Sequence, residues 1–494
     1  MTLKLALAVA LLISFSAAFP AEEWNRTFGG PYSDGGWAFD DTSDGGAIIV
    51  GQISTSQGAD LLLLKVGASG NREWDQSYGG SDDDLGYGVQ ETSDGYVVVG
   101  TTGSFGVGEE RLWLLKTDGG GRKLWDVTLG GFVSSEGDGG WSVQQLGDGY
   151  LVVGYTRSFA AGERDLWMVK TDLWGKKQWS RSFGGQRDDV GFSLLPWDIG
   201  GYLASGYTSN EETGQDLYLV AVDGQGTLLW NQSYGGQGNQ AAFSQARTRE
   251  GGVVLTGRTD SGRGDHDVLL MKLNFSRQPD WTRSYGDEGN EVGLSVAATS
   301  DGGYLVCGRT SSTPRGDQDL LLLKTDFSGD LQWKLNLGGP EDDIGTAVME
   351  TADGYLVLGV TSSFGSGSED IWLLKLKEVQ ETAYDVVRGA LNEALDIDLR
   401  ENVSPLNASP AAMPDWIGAG ENSTSAVTPG ALIPLPSQEA EGQGEGGVLG
   451  PGQVSPAGNG SKEVKVPQVE FVWQKRMFDR PTNPPRALEK FFKS

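Results

Sequence analysis

A tryptophan followed five residues later by glycine recurs along most of this chain, at Trp24, Trp74, Trp125, Trp179, Trp230, Trp281 and Trp333, with spacings of 50, 51, 54, 51, 51 and 52 residues. A self-similar period of this length, with several short strands per unit, points to propeller blades rather than a helical solenoid. Each unit divides into four strand-length pieces. In the second unit these begin with Asp84-Leu85-Gly86-Tyr87, Tyr96-Val97-Val98-Val99, Leu112-Trp113-Leu114-Leu115 and Leu124-Trp125. The intervening Ser93-Asp94-Gly95 and Thr117-Asp118-Gly119-Gly120-Gly121 supply the residues tight hairpins need. Short strands bounded by such turns predict an all-β fold.

Counting the pieces predicts closure. Trp24 opens a fourth-type strand with no first three before it, and the last unit stops on a third-type strand, Ile371 to Leu376. The expectation is a seven-bladed β-propeller of four-stranded antiparallel blades, closed by the N-terminal strand so that no sheet edge is left open. In the first strand, Trp37, Tyr87, Trp141, Phe192, Phe243 and Leu294 are equivalent, next to Gly36, Gly86, Gly140, Gly191, Ala242, Gly293 and Gly345. Large side chains of one blade are expected to pack on the small-residue face of the next. That packing accounts for much of the glycine, 76 residues of 494.

Composition excludes several functions. One cysteine and one histidine leave no intramolecular disulfide and no cysteine- or histidine-rich metal centre. A formal charge of −29 argues against nucleic acid as a partner. Residues 1–18 read as a signal peptide, with Lys4, an apolar run from Leu5 to Phe15, and Ser16-Ala17-Ala18 before cleavage. The run is too short to span a bilayer, so no transmembrane segment is expected after cleavage. Export without cystine favours a prokaryotic source. After the propeller, 19–379, the expected order is an amphipathic helix at 380–400, a disordered Pro/Gly/Ser-rich linker at 401–468 and a basic aromatic tail at 469–494.

The units Trp74-Asp-Gln-Ser-Tyr-Gly-Gly, Thr299-Ser-Asp-Gly-Gly-Tyr-Leu-Val and Asp319-Leu-Leu-Leu-Leu-Lys-Thr-Asp resemble the tandem propeller repeats of exported archaeal and bacterial proteins, methanogen surface proteins among them. The resemblance covers about Trp24 to Lys377 and implies the fold, with no activity to carry over. The turn with Asp172, Gly175 and Trp179 is also similar to the blade motif of pyrroloquinoline-quinone enzymes. Those have eight blades and adjacent cysteines, whereas this chain has seven repeats and only Cys307, so no cofactor is implied.

Candidate sites follow from comparing the repeats. Asp34, Asp84, Asp138, Asp189, Glu291 and Asp343 share one position, with Gln240 in the odd unit, where the chain enters the innermost strand at one channel mouth. Such a ring has the chemistry to hold a cation or supply a carboxylate pair for glycosyl transfer. Local turn hydrogen bonds account for it equally well, and repetition in nearly every blade favours that structural reading, because catalysis needs asymmetry. Asymmetry appears elsewhere. After the second-strand glycine the units carry Gln52, Thr101, Tyr155, Tyr207, Arg258, Arg309 and Val360. Tyr155, Tyr207, Arg258 and Arg309 thus set two aromatics and two guanidiniums on neighbouring blades at a position expected to be half-exposed, suited to stacking and to carboxylate binding. Cys307 reads as core and His266 as variable loop. Sequons at Asn25, Asn231, Asn274, Asn402, Asn407, Asn422 and Asn459 permit N-glycosylation. The leading expectation is an exported, non-catalytic binding or scaffold propeller engaging protein or glycan at or outside the cell envelope. The alternative is a carbohydrate hydrolase or lyase using the mouth carboxylates.

Overall fold

The computed structural model describes residues 18–380, apart from 57, 107–109, 132–136, 198–199, 213, 261–264 and 314–316. The expected C-terminal helix, linker and basic tail lie outside the described residues. The described chain forms seven four-stranded antiparallel sheets, each strand paired with the next in sequence. Blade 1 holds Gly35–Asp41, Ala47–Ser54, Ala59–Val66 and Arg72–Tyr78, and the pattern repeats through blade 6, which ends on Leu331–Leu337. Blade 7 takes Asp343–Thr351, Gly354–Thr361 and Asp370–Gln380 from the end of the repeat region and its outermost strand, Ala18–Phe28, from the start. Trp24 faces Lys375 and Phe28 faces Ile371, with pairing continuing back to Ala18 against Gln380. The first strands of successive blades touch around a complete circuit, blade 7 against blade 1 included. The ring is closed.

Second and third strands supply the core. Ile48, Val97, Leu151, Leu203, Val254, Leu305 and Val357 are all fully buried. They are β-branched or leucine, as strands covered on both faces require. The small residue of the first strand lets the preceding blade approach. A Cβ on Gly140 would sit 2.4 Å from Val99 and 3.1 Å from Leu112, both of blade 2. Gly36, Gly86, Gly191, Gly293 and Gly345 likewise face the second and third strands of the blade before them.

The aromatic residue beside each small one behaves differently from expectation. In every blade the first-strand register slips at this point, between Gly36 and Ala38, Gly86 and Gly88, Gly140 and Ser142, Gly191 and Ser193, Ala242 and Ser244, Gly293 and Ser295, and Gly345 and Ala347. Trp37, Tyr87, Trp141, Phe192, Phe243, Leu294 and Thr346 are therefore the extra residues of β-bulges, which turn a side chain out of the pleat. Thr346 still reaches the next blade's small residue, its hydroxyl donating to the Gly36 carbonyl at 2.8 Å, but the rings of blades 2 to 5 do not follow the expectation. Ring meets ring instead, Tyr87 to Trp141 at 4.2 Å, Trp141 to Phe192 at 5.4 Å and Phe192 to Phe243 at 5.1 Å between centroids. The result is an aromatic arc along the innermost strands of blades 2 to 5.

The bulge also explains the second-strand glycine. It pushes a first-strand carbonyl over that residue, so a Cβ at Gly154 would lie 1.9 Å from the Gly139 oxygen, and at Gly100 1.8 Å from the Leu85 oxygen. Backbone cannot yield as a side chain can. Gly154→Ala is expected to lower stability by about 1–3 kcal/mol or more in denaturant titration. Gly147→Ala, where a Cβ meets nothing within 4 Å, is expected to change it little.

Two further repeated devices tie the blades. Trp24, Trp74, Trp125, Trp179 and Trp281 lie against Gly70, Gly121, Gly175, Gly226 and Gly329 in the third-to-fourth turn of the following blade. The buried third-strand lysines Lys65, Lys116, Lys170, Lys272, Lys324 and Lys375 pair with Asp44, Asp94, Asp148, Glu250, Asp301 and Asp353 of the first-to-second turn at 2.7–3.2 Å.

Candidate functional site

The acidic position opens each innermost strand and is buried: Asp34, Asp84, Glu291 and Asp343 are 0% exposed, Asp138 and Asp189 1%. Each carboxylate accepts from a backbone N–H just upstream, donated by Gly30, Gly80, Gly131, Gly185, Asp287 and Gly339 respectively for Asp34, Asp84, Asp138, Asp189, Glu291 and Asp343. Several also accept from the second-to-third loop of their own blade. The Ser104 hydroxyl donates to Asp84 at 2.6 Å, Ser158 to Asp138 at 2.6 Å, Ser312 to Glu291 at 2.6 Å and Ser363 to Asp343 at 2.7 Å. Gln240 fills the same role, accepting from Gly236 at 3.2 Å. These groups fasten blade entry to loop, and carboxylates so enclosed are not presented to a substrate. Among the described residues no group of three or more potential ligand side chains is placed to hold a metal ion.

Cys307 is buried in the blade 6–7 core, where burial pushes its thiol up. Asn25 and Asn231 are exposed on outermost strands. Asn274 is half-buried in a turn, its Oδ1 accepting from Ser276 N at 2.9 Å. The sequons at Asn402, Asn407, Asn422 and Asn459 lie outside the described residues.

The asymmetric second-strand position lies opposite the start of the innermost strand, with Tyr155 across from Gly139, Tyr207 from Val190, Arg258 from Ala241 and Arg309 from Val292. Tyr155, Tyr207 and Arg258 stand along the aromatic arc, and Arg309 follows in blade 6 near Arg258. Tyr207 packs on Phe192 at 6.0 Å, the Arg258 guanidinium lies 5.9 Å over Phe243, and Arg164 lies 5.6 Å over Tyr155 while its Nη2 reaches the Tyr207 hydroxyl at 3.5 Å. Half-exposure holds for three of them. Tyr207 is 1% exposed, because the Phe192 ring and Arg164 cover it, so it builds the wall rather than meeting solvent.

The two arginines differ from their neighbour Arg164. That residue makes a bidentate pair with Asp188, at 2.9 and 2.7 Å. Arg258 donates from Nη2 to the Gln215 amide oxygen at 2.8 Å, and Arg309 from Nη1 to that of Gln318 at 2.5 Å. Burial first, and then the nearby Arg258, pull the pKa of Arg309 down to about 10 against the opposing charge of Asp342. Arg258 is held below its ordinary value, by burial first, against the pull of Tyr207 and Asp260. Two desolvated guanidiniums that repel each other favour an approaching anion.

Sequence reasoning missed a cavity of about 400 Å³ at the seam of blades 4 and 5, lined by Arg258, Gln215 and Asn239 together with Arg187 and His266. His266 is cross-strand partner to Asp260, with Nδ1 2.6 Å from Oδ1. That pairing was readable only once the hairpin register was known.

No family model matches the chain. Over 124 residues it is 31% identical to the regulatory protein FlaEY of Caulobacter vibrioides, a stretch covering 22% of this chain and 13% of that protein. The chain thus spans a small part of the curated relative it matches. Among solved structures it is similar to Chaetomium thermophilum Sqt1 bound to the N-terminus of the ribosomal protein L10, at 10% identity and TM-score 0.42, covering 72% of this chain and 98% of that one. It is also similar to YCF48 bound to D1 peptide, at 13% identity and TM-score 0.44, covering 74% and 99%. A puromycin hydrolase is similar at 14% identity and TM-score 0.44, over 67% and 53%. Likeness at this level concerns the fold alone.

Proposed function

We propose that this is an exported, non-catalytic binding propeller that engages a protein or glycan at or outside the cell envelope. The ligand face is the channel mouth bearing Tyr155, Arg258 and Arg309, with Tyr207 as its buried support. The observation that carries the reading is local asymmetry. Six repeat positions at the mouth hold one kind of buried acid, while the neighbouring position changes from tyrosine to arginine across blades 3 to 6 and stands over an aromatic arc. The two neighbouring, partly desolvated guanidiniums repel each other, and an anionic ligand group would relieve that repulsion. The signal-like segment at 1–18 supports the extracytoplasmic location.

A glycan and peptide array probed with the mature protein is the direct test. For a captured ligand, Arg258→Ala combined with Arg309→Ala is expected to weaken binding at least about tenfold, the loss of one charge-assisted contact of ~1.5–3 kcal/mol. Thermal stability should hold, since both side chains leave the blade core. Unchanged affinity in the double variant would move the ligand face elsewhere.

A further inference from the structure

The seam between blades 4 and 5 differs from its six counterparts in its walls. The second-to-third hairpin of blade 4 keeps its paired register out to Asn210 against Gly214 and forms one wall beside the mouth. The opposite wall is blade 5, with Arg258 on its second strand and His266 at the start of its third. The floor is tied by a chain of hydrogen bonds, Gln215 N to Asn239 Oδ1 at 3.1 Å and Asn239 N to Asp260 Oδ2 at 2.7 Å. The open cleft between them, about 400 Å³, is within the size of small-molecule sites. Its lining among the described residues contains amide, hydroxyl, carboxylate, guanidinium and imidazole groups but no aliphatic or aromatic side chain.

That lining selects against a peptide anchor, which draws its affinity from apolar or aromatic pockets. It matches a polyol, whose hydroxyls exchange water hydrogen bonds for protein ones around a whole ring. The charges add a second requirement. Arg187 at the rim is already paired with Glu211, and the Asp260 carboxylate faces Asn239 and His266. Arg258 has a neutral amide as hydrogen-bond partner, and its buried Nε has none among the described residues. Among the described residues Arg258 is thus the cavity guanidinium with no carboxylate within hydrogen-bond distance, Asp260 acting on it only at longer range.

We propose that this seam binds a carboxylated sugar residue, its carboxylate on Arg258 and its hydroxyls on the amide and hydroxyl groups of Asn210, Gln215, Asn239 and Ser209. The proposal rests on the reading of the mouth as ligand face and narrows it to one seam and one ligand chemistry. Binding is reversible, and no bond is made or broken.

The test is calorimetric titration of the mature protein with trigalacturonic acid, its methyl ester and a Glu-rich peptide, at two salt concentrations. The expected result is binding of the acid at least tenfold tighter than the ester, with the difference shrinking at high salt. Arg258→Gln should lower the affinity for the acid to that for the ester and leave the ester unchanged. Arg72→Gln, on the outermost strand of blade 1 and away from the mouth, should alter either by less than about twofold. Equal binding of acid and ester, or no binding of either, overturns the proposal. If the Glu-rich peptide alone binds and Arg258→Gln abolishes it, the carboxylated-sugar assignment falls while the mouth remains the ligand face. Should array ligands bind with no effect from Arg258→Ala combined with Arg309→Ala, both readings fail together.

Discussion

Deleting the Ala18–Phe28 strand is expected to convert a closed propeller into an aggregating chain. This strand is the outermost of blade 7, and without it the Asp370–Gln380 strand presents a free edge of N–H and C=O groups. The pairing from Ala18 to Phe28 contributes backbone hydrogen bonds of about 1 kcal/mol each. Trp24 and Phe28, partly buried, join the core shared by blades 7 and 1, adding about 1 kcal/mol or more apiece. The sum is on the order of 10 kcal/mol, comparable to the whole stability of a typical domain. Light scattering and thermal unfolding of the truncated protein would register the loss. A permutant that joins Gln380 through a short loop to Ala18 should restore both, because those residues already face each other in register. If the truncated chain stays monomeric and melts normally, the ring does not depend on this strand.

Stability is expected to rise on mild acidification, against the usual optimum near neutrality. Burial pushes the Asp343 carboxyl from 3.8 up to about 6, and that of Asp189 likewise to about 6. A carboxyl whose pKa is higher folded than unfolded gives its full stabilisation below the unfolded value, and loses it as pH rises through the folded one. Each group should therefore cost roughly 3 kcal/mol between about pH 4 and pH 7, at about 1.4 kcal/mol per unit. The turn acids act in the opposite sense. The Lys116 hydrogen bond holds Asp94 low, the Lys375 hydrogen bond holds Asp353 low, and the Thr42 hydroxyl with Lys65 holds Asp44 lower still. Their contribution is present above the ordinary carboxylate range and is lost below about pH 4. Thermal midpoints at constant ionic strength should climb from about pH 7 to a maximum near 4.5, then fall. Asp343→Asn should flatten the climb, and the amide at Gln240 shows that this position accepts one. A midpoint that declines steadily from neutrality would contradict the assignment.

The period and the strand count determined most of the fold from sequence. Seven tryptophan–glycine units, one missing beginning and one missing end permit one economical closure, because an unpaired edge is costly whatever the side chains. The second-strand glycine and the turn acids were legible for the same reason, since a part repeated in each unit reports a local backbone requirement. The bulged aromatics were not. Whether Tyr87 or Phe192 faces a neighbouring blade or its counterpart ring depends on one extra residue in the register, and side-chain alternation reverses with a slip of one. The mouth was half legible. A break in the repeat marked Arg258 and Arg309, but the burial of Tyr207 and the cavity joining Arg187, Asn239, Arg258 and His266 come from three successive blades turning about one axis. Periodicity describes each blade alone, and a seam between blades exists only after they have packed.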